Sequence, residues 1–142
     1  MTATRSTQEE IQYKKYQKKN IAGCPLCNIK PTDSKYISES KHFQVIRNDF
    51  PYSIWDGQKV TEHLMIVPKD HRDTLIGLPE AAFVEYMALV TKYENSGYNI
   101  YTRSKQSVTR SVIHHHTHFI RSGSKIRFVL MTRWPFYVRL SR

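Results

Sequence analysis

The stretch His114-His115-His116-Thr117-His118-Phe119-Ile120 decides how this chain is read. Four of the 7 histidines fall inside it. Read as a strand, its side chains alternate between faces, so His114, His116 and His118 point one way and His115, Thr117 and Phe119 the other. Three imidazoles on one face repel each other when protonated, and each is costly to bury without partners. A purely structural strand has little use for such a face, so the run is read as a functional cluster. An affinity tag is the bland alternative, but tags are typically terminal and uninterrupted.

Outward from this strand, short β-type runs recur. His63 to Val67 is a strong one, stopped by Pro68, and His42 to Arg47 is another. Between them Pro51 and Asp56-Gly57 are turn signals, which predict a loop or hairpin. Tyr98 to Thr102, Lys125 to Thr132 and Phe136 to Leu140 also read as strands. One long helix is expected over about 78–95, opened by Pro79 near its first turn and closed by Gly97. Phe83, Met87 and Val90, with Tyr86 and Tyr93, recur at helical spacing and predict its core-facing stripe. A second helix is expected from Ser6 to Lys19. Ser6 and Glu9 form a capping box, and Lys14, Lys15, Lys18 and Lys19 suit the negative end of the helix dipole. Those lysines read as a solvated face. The order of elements predicts an α+β fold with a mostly antiparallel sheet.

The composition bounds the rest. At 142 residues and 39% hydrophobic content the chain has the size and core of a single domain, residues 1–142. No run is apolar enough to span a bilayer, and the polar N-terminus has no signal-type apolar region, so a soluble cytoplasmic protein is expected. The formal charge of +10 attracts polyanions such as nucleotides or nucleic acid, without choosing among them. Basic and aromatic residues mix near the C-terminus (Lys125, Arg127, Phe128, Arg133, Trp134, Phe136, Tyr137, Arg139), as on a nucleic-acid-binding patch or an exposed sheet face. Cys24-Pro25-Leu26-Cys27 has the spacing of a zinc knuckle; a redox pair or unliganded thiols are the alternatives.

Ser111-Val112-Ile113-His114-His115-His116-Thr117-His118-Phe119-Ile120 resembles the signature of the histidine-triad family, His-x-His-x-His with two apolar residues following. Upstream, His63-Leu64-Met65-Ile66-Val67-Pro68-Lys69-Asp70-His71 resembles the family's His-x-Leu-Val-Ile-Pro-Lys-x-His strand. Together the two cover a core of about residues 24–121, with 1–22 as a helical extension and 125–142 as C-terminal strands. The resemblance implies hydrolysis or transfer of a nucleotidyl group. On this pattern His116 attacks the α-phosphorus, His118 lines the phosphate pocket, His63 serves the leaving side, and Ser111 donates a hydroxyl. Asn48-Asp49-Phe50-Pro51 resembles the family's ribose-binding element, which implies Asn48 as ribose ligand; a turn-forming Asn is the other reading. Arg103, Lys105 and Arg110 depart from the family pattern as cations able to hold a polyphosphate or as solvated loop charges. The longer stretch from Pro51 to His63 is a further departure, where Trp55 stacks on a base or covers the core.

The resemblance also completes the zinc set. It implies His71 and His114 beside Cys24 and Cys27, with a structural role for the ion. The implied partners are a nucleoside phosphoramidate, a dinucleoside polyphosphate or an adenylate. An adenylated nucleic-acid end and a non-catalytic nucleotide-binding module are the alternatives. Relatives commonly dimerise through the long helix and the sheet edge, so a homodimer is expected.

Overall fold

The computed structural model describes residues 4–19, 23–126, 129–130 and 138–139. Six strands form one antiparallel sheet: β1 (Tyr36–Glu39), β2 (Phe43–Arg47), β3 (Ile54–Trp55), β4 (Gln58–Pro68), β5 (Asn99–Thr102) and β6 (Thr117–Ile126). Their spatial order is β1-β2-β4-β6-β5, with β3 paired to the start of β4. Two helices, α1 (Thr7–Lys19) and α2 (Glu80–Asn95), and a small ribbon of β7 (Val129–Leu130) and β8 (Val138–Arg139) complete the described elements. The expected α+β class is therefore the one that forms. Within 125–132 and 136–140, β6 runs to Ile126 and β7 pairs with β8. The rest of these segments, including the aromatic and basic residues Arg127, Phe128, Arg133, Trp134, Phe136 and Tyr137, lies outside the described residues.

The hairpin expected between Pro51 and His63 is real. Ile54 pairs with Lys59 and Trp55 with Gln58, leaving Asp56-Gly57 as a two-residue loop. Both loop residues have positive φ, 49° and 76°, the conformation that matches the twist of paired strands. The fold-back lengthens β4, which begins at Gln58 rather than His63.

Alternation along β2, β4 and β6 creates two unlike faces. Phe43, Val45, Leu64, Ile66 and Phe119 are buried beneath α2, where Ala82, Tyr93 and Tyr98 join them. Each fully buried aliphatic or aromatic side chain here contributes about 1.5–3 kcal/mol. On the opposite face Ile46, Met65 and Val67 pack under Leu26 and Ile29 from the segment that carries the cysteines. That second face also carries His63 and His118.

Helix α2 differs from expectation in the phase of its stripe. Tyr86, Val90 and Tyr93 pack on the core, together with Leu89 and Ala82. Phe83 and Met87, expected inside, are 41% and 54% exposed, beside Val84 at 65%. Apolar residues surround most of this helix, so spacing alone could not select the face that meets the sheet. Pro79 sits at the N-cap, one residue before the first turn. Gly97, with φ of 82°, closes the helix: its N–H donates to Glu94 O at 2.9 Å and Tyr98 N–H to Tyr93 O at 3.1 Å. This pattern satisfies the free carbonyls of the last turn, and the edge-on Tyr93–Tyr98 ring contact, with centroids 5.3 Å apart, accompanies it.

Candidate active site

Antiparallel pairing of β4 with β6 brings the two histidine segments together. Met65 faces His118 across the ladder and His63 faces Ile120, so His63 and His118 are diagonal neighbours. Their rings meet at 2.9 Å, His63 Nε2 to His118 Nδ1. The Tyr52 N–H lies 2.9 Å from His63 Nδ1. A main-chain N–H can only donate, so His63 Nδ1 accepts and its Nε2–H donates to His118 Nδ1. His118 is thereby left with its proton on Nε2. One backbone amide sets both tautomers. Asn48 Nδ2 is 3.3 Å from the same His63 nitrogen, but both atoms carry hydrogens, so the approach is a contact.

The charge state agrees with this chain of donors. Burial holds His63 down to about 3, with the Arg5 and His116 charges acting the same way. His118 lies well below the ordinary imidazole value, again through burial and then the neighbouring His116 and His63. Both rings are neutral at pH 7.

His116 precedes β6 and its Nδ1 is 2.8 Å from the His114 carbonyl. The carbonyl accepts, so Nδ1 carries the proton and Nε2 the lone pair. The ring is 9% exposed and stands edge-on to His118, with centroids 4.9 Å apart. Burial lowers its pKa, opposed by the hydrogen bond to His114 and aided by Arg110 and Arg103. His116 and His118 line a cavity of about 740 Å³ together with Asn48, Tyr52, Arg103 and Ser111. The strand expected from His114 begins only at Thr117, but Thr117 and Phe119 do face away from His118: Thr117 Oγ1 and the Tyr86 hydroxyl are 2.9 Å apart, and Phe119 stacks on Tyr93, both on the α2 side.

His114 is fully buried, at the part of the same cavity wall that carries Cys24 and His71. Its Nε2 meets the Pro68 carbonyl at 3.0 Å, so that nitrogen donates. Its Nδ1 lies 3.5 Å from both Cys24 Sγ and Cys27 Sγ, and Cys27 Sγ is 3.0 Å from His71 Nδ1. The four ligand atoms fall within 4.8 Å of one another, so Cys24, Cys27, His71 and His114 can hold one metal ion. A tetrahedral ion with two sulfur and two nitrogen ligands needs separations of about 3.3–3.8 Å. The carbonyl behind His114 is the outer partner that fixes a ligand imidazole. Both cysteines are free thiols. Burial raises the Cys27 thiol, as does Cys24, so it stays protonated unless a cation at its sulfur favours the thiolate.

The remaining expected residues divide. Ser111 is at the cavity wall, with its hydroxyl hydrogen-bonded to that of Tyr13. Asn48 lines the cavity and also makes the turn: its Oδ1 accepts from Phe50 N–H at 2.9 Å. Arg103 reaches the Tyr52 hydroxyl at 3.3 Å and also bonds Thr109. Arg110 is engaged by main-chain carbonyls, Asp73 O at 2.9 Å and Val112 O at 3.1 Å, and Lys105 faces Asp73 at 3.8 Å. Trp55 lies parallel to Tyr52 and against Tyr101, and is absent from the cavity wall.

Helix α1 forms where the sequence predicts it, Thr7–Lys19, but its part in the cavity wall was not read from the sequence. Its lysines are exposed as expected, yet Tyr13 and Tyr16 pack on Phe50 at 5.2 and 4.6 Å and line the cavity. Arg5, just before the helix, lines it too. The signal was present, since Tyr13 and Tyr16 are three apart on one face of a helix otherwise polar.

The sequence matches no family model and no curated protein. Solved structures do match. A HIT family hydrolase from Legionella pneumophila aligns at 18% identity over 80% of this chain and 98% of its own, with a TM-score of 0.51. A hypothetical histidine triad nucleotide-binding protein from Sulfolobus tokodaii aligns at 20% identity over 64% of this chain and 62% of its own, with a TM-score of 0.50. A hypothetical protein from Leishmania major aligns at 18% over 92% and 84%, also at 0.50. The chain thus has the histidine-triad fold. Its Cys24/Cys27 pair, with His114, fits the zinc-knuckle form of that fold.

Proposed function

We propose that this protein is a nucleotidyl hydrolase or transferase that cleaves the α-phosphate linkage of nucleoside phosphate derivatives through a nucleotidyl-histidine on His116. The His116 ring carries this reading: Nδ1–H is held by a carbonyl, and the remaining lone pair is on Nε2 of a ring that lines the cavity. In the first step Nε2 attacks the α-phosphorus. The bond to the leaving group breaks, and the leaving group takes its electron pair and a proton from solvent. The nucleotidylated ring is cationic, and the His114 carbonyl accepts from its Nδ1–H. Water then attacks the same phosphorus and gives up a proton to solvent, the P–N bond breaks with its electron pair returning to Nε2, and a nucleoside monophosphate departs.

The neighbours serve charge and position. His118, with its proton on Nε2, donates to a phosphoryl oxygen, and His63 holds that tautomer from behind on the leaving side. Ser111 donates its hydroxyl to the phosphate or leaving group once it exchanges Tyr13 for substrate. Asn48 takes the ribose hydroxyls and Arg103 adds positive charge. Zinc on Cys24, Cys27, His71 and His114 would tie the N-terminal segment to the catalytic strand in a structural role. Free thiols suited to a metal fit a reducing, cytoplasmic setting, which fractionation tests. The exposed Phe83, Val84 and Met87 on α2 suit a homodimer interface; sedimentation as a monomer would remove that part of the reading.

Mass spectrometry of the protein after incubation with adenosine 5′-phosphoramidate and a dinucleoside polyphosphate tests the proposal. A nucleotidyl adduct on His116, lost in His116→Ala along with at least ~10³-fold of turnover, is expected. Unchanged turnover in that variant defeats it. The exposed Lys14, Lys15, Lys18 and Lys19 of α1 favour a second reading, in which the nucleotide is the adenylated end of a nucleic acid. Binding that falls steeply with salt marks that substrate, and salt-insensitive binding dismisses it.

A further inference from the structure

One buried cation has no part in the chemistry above. Arg5 belongs to the N-terminal arm, yet its side chain is only 9% exposed. The arm is fixed at both ends. The Thr4 carbonyl accepts from Ser53 N–H at 2.9 Å and Ile54 N–H at 3.2 Å, alongside the hairpin. Immediately after Arg5, Ser6 N–H donates to Glu9 Oε2 at 2.7 Å, and the Ser53 hydroxyl donates to that same oxygen at 2.7 Å. Between these anchors the Arg5 side chain enters the cavity wall.

Its hydrogen-bonding fork is only partly used. Nη2 donates to the Phe50 carbonyl at 2.7 Å, and the guanidinium lies over the rings of Tyr13 and Tyr52, 4.4 and 4.9 Å from their centroids. Nε is buried with no hydrogen-bond partner among the described residues. The Glu10 carboxylate is 3.9 Å away, beyond hydrogen-bonding distance, and equally far from Lys14. Arg103 approaches the same tyrosine from the loop after β5, with Nη2 at 3.3 Å from the Tyr52 hydroxyl. Among the described residues no carboxylate lies within 4.0 Å of Arg103. Asp49, the other acid on the cavity wall, is held by Lys35 at 3.0 Å. Two guanidinium groups thus meet on one tyrosine of the cavity wall with a single carboxylate paired to one of them, and their planar forks suit phosphoryl oxygens. The field of Arg5 also reaches His63 and His118, where it opposes protonation, so the group is close to the reacting histidines.

We propose that Arg5 and Arg103 clamp a second phosphoryl group of the substrate across Tyr52, separate from the one that faces His116, and so select nucleotides with two phosphoryl groups over those with one. This inference rests on the nucleotide reading above and adds a specificity residue from the N-terminal arm. The second group is either the next along the 5′ chain or one borne by the ribose.

Calorimetric titration of the full chain with AMP, ADP and adenosine 3′,5′-bisphosphate tests it. The wild-type chain is expected to bind one of the two-phosphate ligands at least ~10-fold more tightly than AMP, and the ligand that does so names the source. Arg5→Gln keeps a donor for the Phe50 carbonyl but loses the charge; it is expected to remove most of that preference while changing AMP affinity less than about 2-fold. Arg5→Lys keeps the charge and retains part of the preference. A wild-type chain that binds AMP and both two-phosphate ligands equally overturns the clamp and leaves the nucleotide reading standing, whatever the folding of the variants. A preference that survives Arg5→Gln, or one lost together with AMP affinity, also overturns it. Failure of the wild-type chain to bind AMP or either other ligand removes both.

Discussion

His114 and His116 lie two residues apart, are nearly or fully buried, and are each held by a main-chain carbonyl, yet they offer opposite nitrogens. The Pro68 carbonyl takes Nε2 of His114 and turns Nδ1 toward two thiols. The His114 carbonyl takes Nδ1 of His116 and leaves the lone pair on Nε2 in the cavity. One residue type, in the segment that leads into β6, is thus divided between a corner able to hold a metal ion and the cavity where we propose that phosphate is handled. What divides it is which carbonyl each ring meets: one from the end of β4, 46 positions away, for His114, and one only two residues back for His116.

Breaking one member at a time should separate the two corners, and the largest effect should be on the metal side. His114→Ala, or removal of the ion by a chelator, is expected to lower the melting temperature by about 10 °C, the scale on which loss of a tightly bound ligand acts. His116→Ala should keep both metal content and melting temperature. Metal analysis with thermal melting checks this, and equal loss in both variants would erase the distinction.

Acid should act next, through the buried histidines at the cavity. Unfolded, an imidazole titrates near 6.5, whereas folded His63 is held down to about 3 and His118 well below its ordinary value. The unfolded chain therefore binds more protons between those values, and stability falls as pH drops below about 6.5. The slope is on the order of 1 kcal/mol per pH unit for each ring. Urea midpoints at pH 7.5 and pH 5 should show the fall, and His63→Gln should reduce it; a midpoint indifferent to pH would mean that these rings accept protons in the folded state. The smallest effect belongs to the other face of β6. Tyr86→Phe removes the hydroxyl that meets Thr117 and should cost about 1 kcal/mol in urea unfolding, with metal content and His116 nucleotidylation intact.

Which parts were legible in the sequence follows from the range of the interactions involved. The capping box, the Asp56-Gly57 turn and the Gly97 stop are local, settled within a few residues, and all three are present. The ligand set Cys24, Cys27, His71 and His114 was reached by family resemblance; in the fold the four come together because β4 ends at Pro68 beside the start of β6. The phase of α2 was not legible, because a helix apolar over most of its circumference gives no single direction and only the sheet decides between Leu89 and Met87. Arg5 was not legible either. Its contact with Phe50 spans 45 positions, and a lone arginine before a polar helix carries no pattern. The tautomers were equally hidden, since no periodicity reports where a main-chain N–H points.

That last point bears on how the protein tolerates change over generations. The proton order along His63 and His118 is dictated by the amide of Tyr52, a group that every amino acid but proline supplies. Substitutions at position 52 can alter packing and the aromatic surface while leaving that order in place. The instruction sits in the backbone, where point mutation can scarcely reach it, so the surrounding side chains are free to diversify around a fixed protonation pattern.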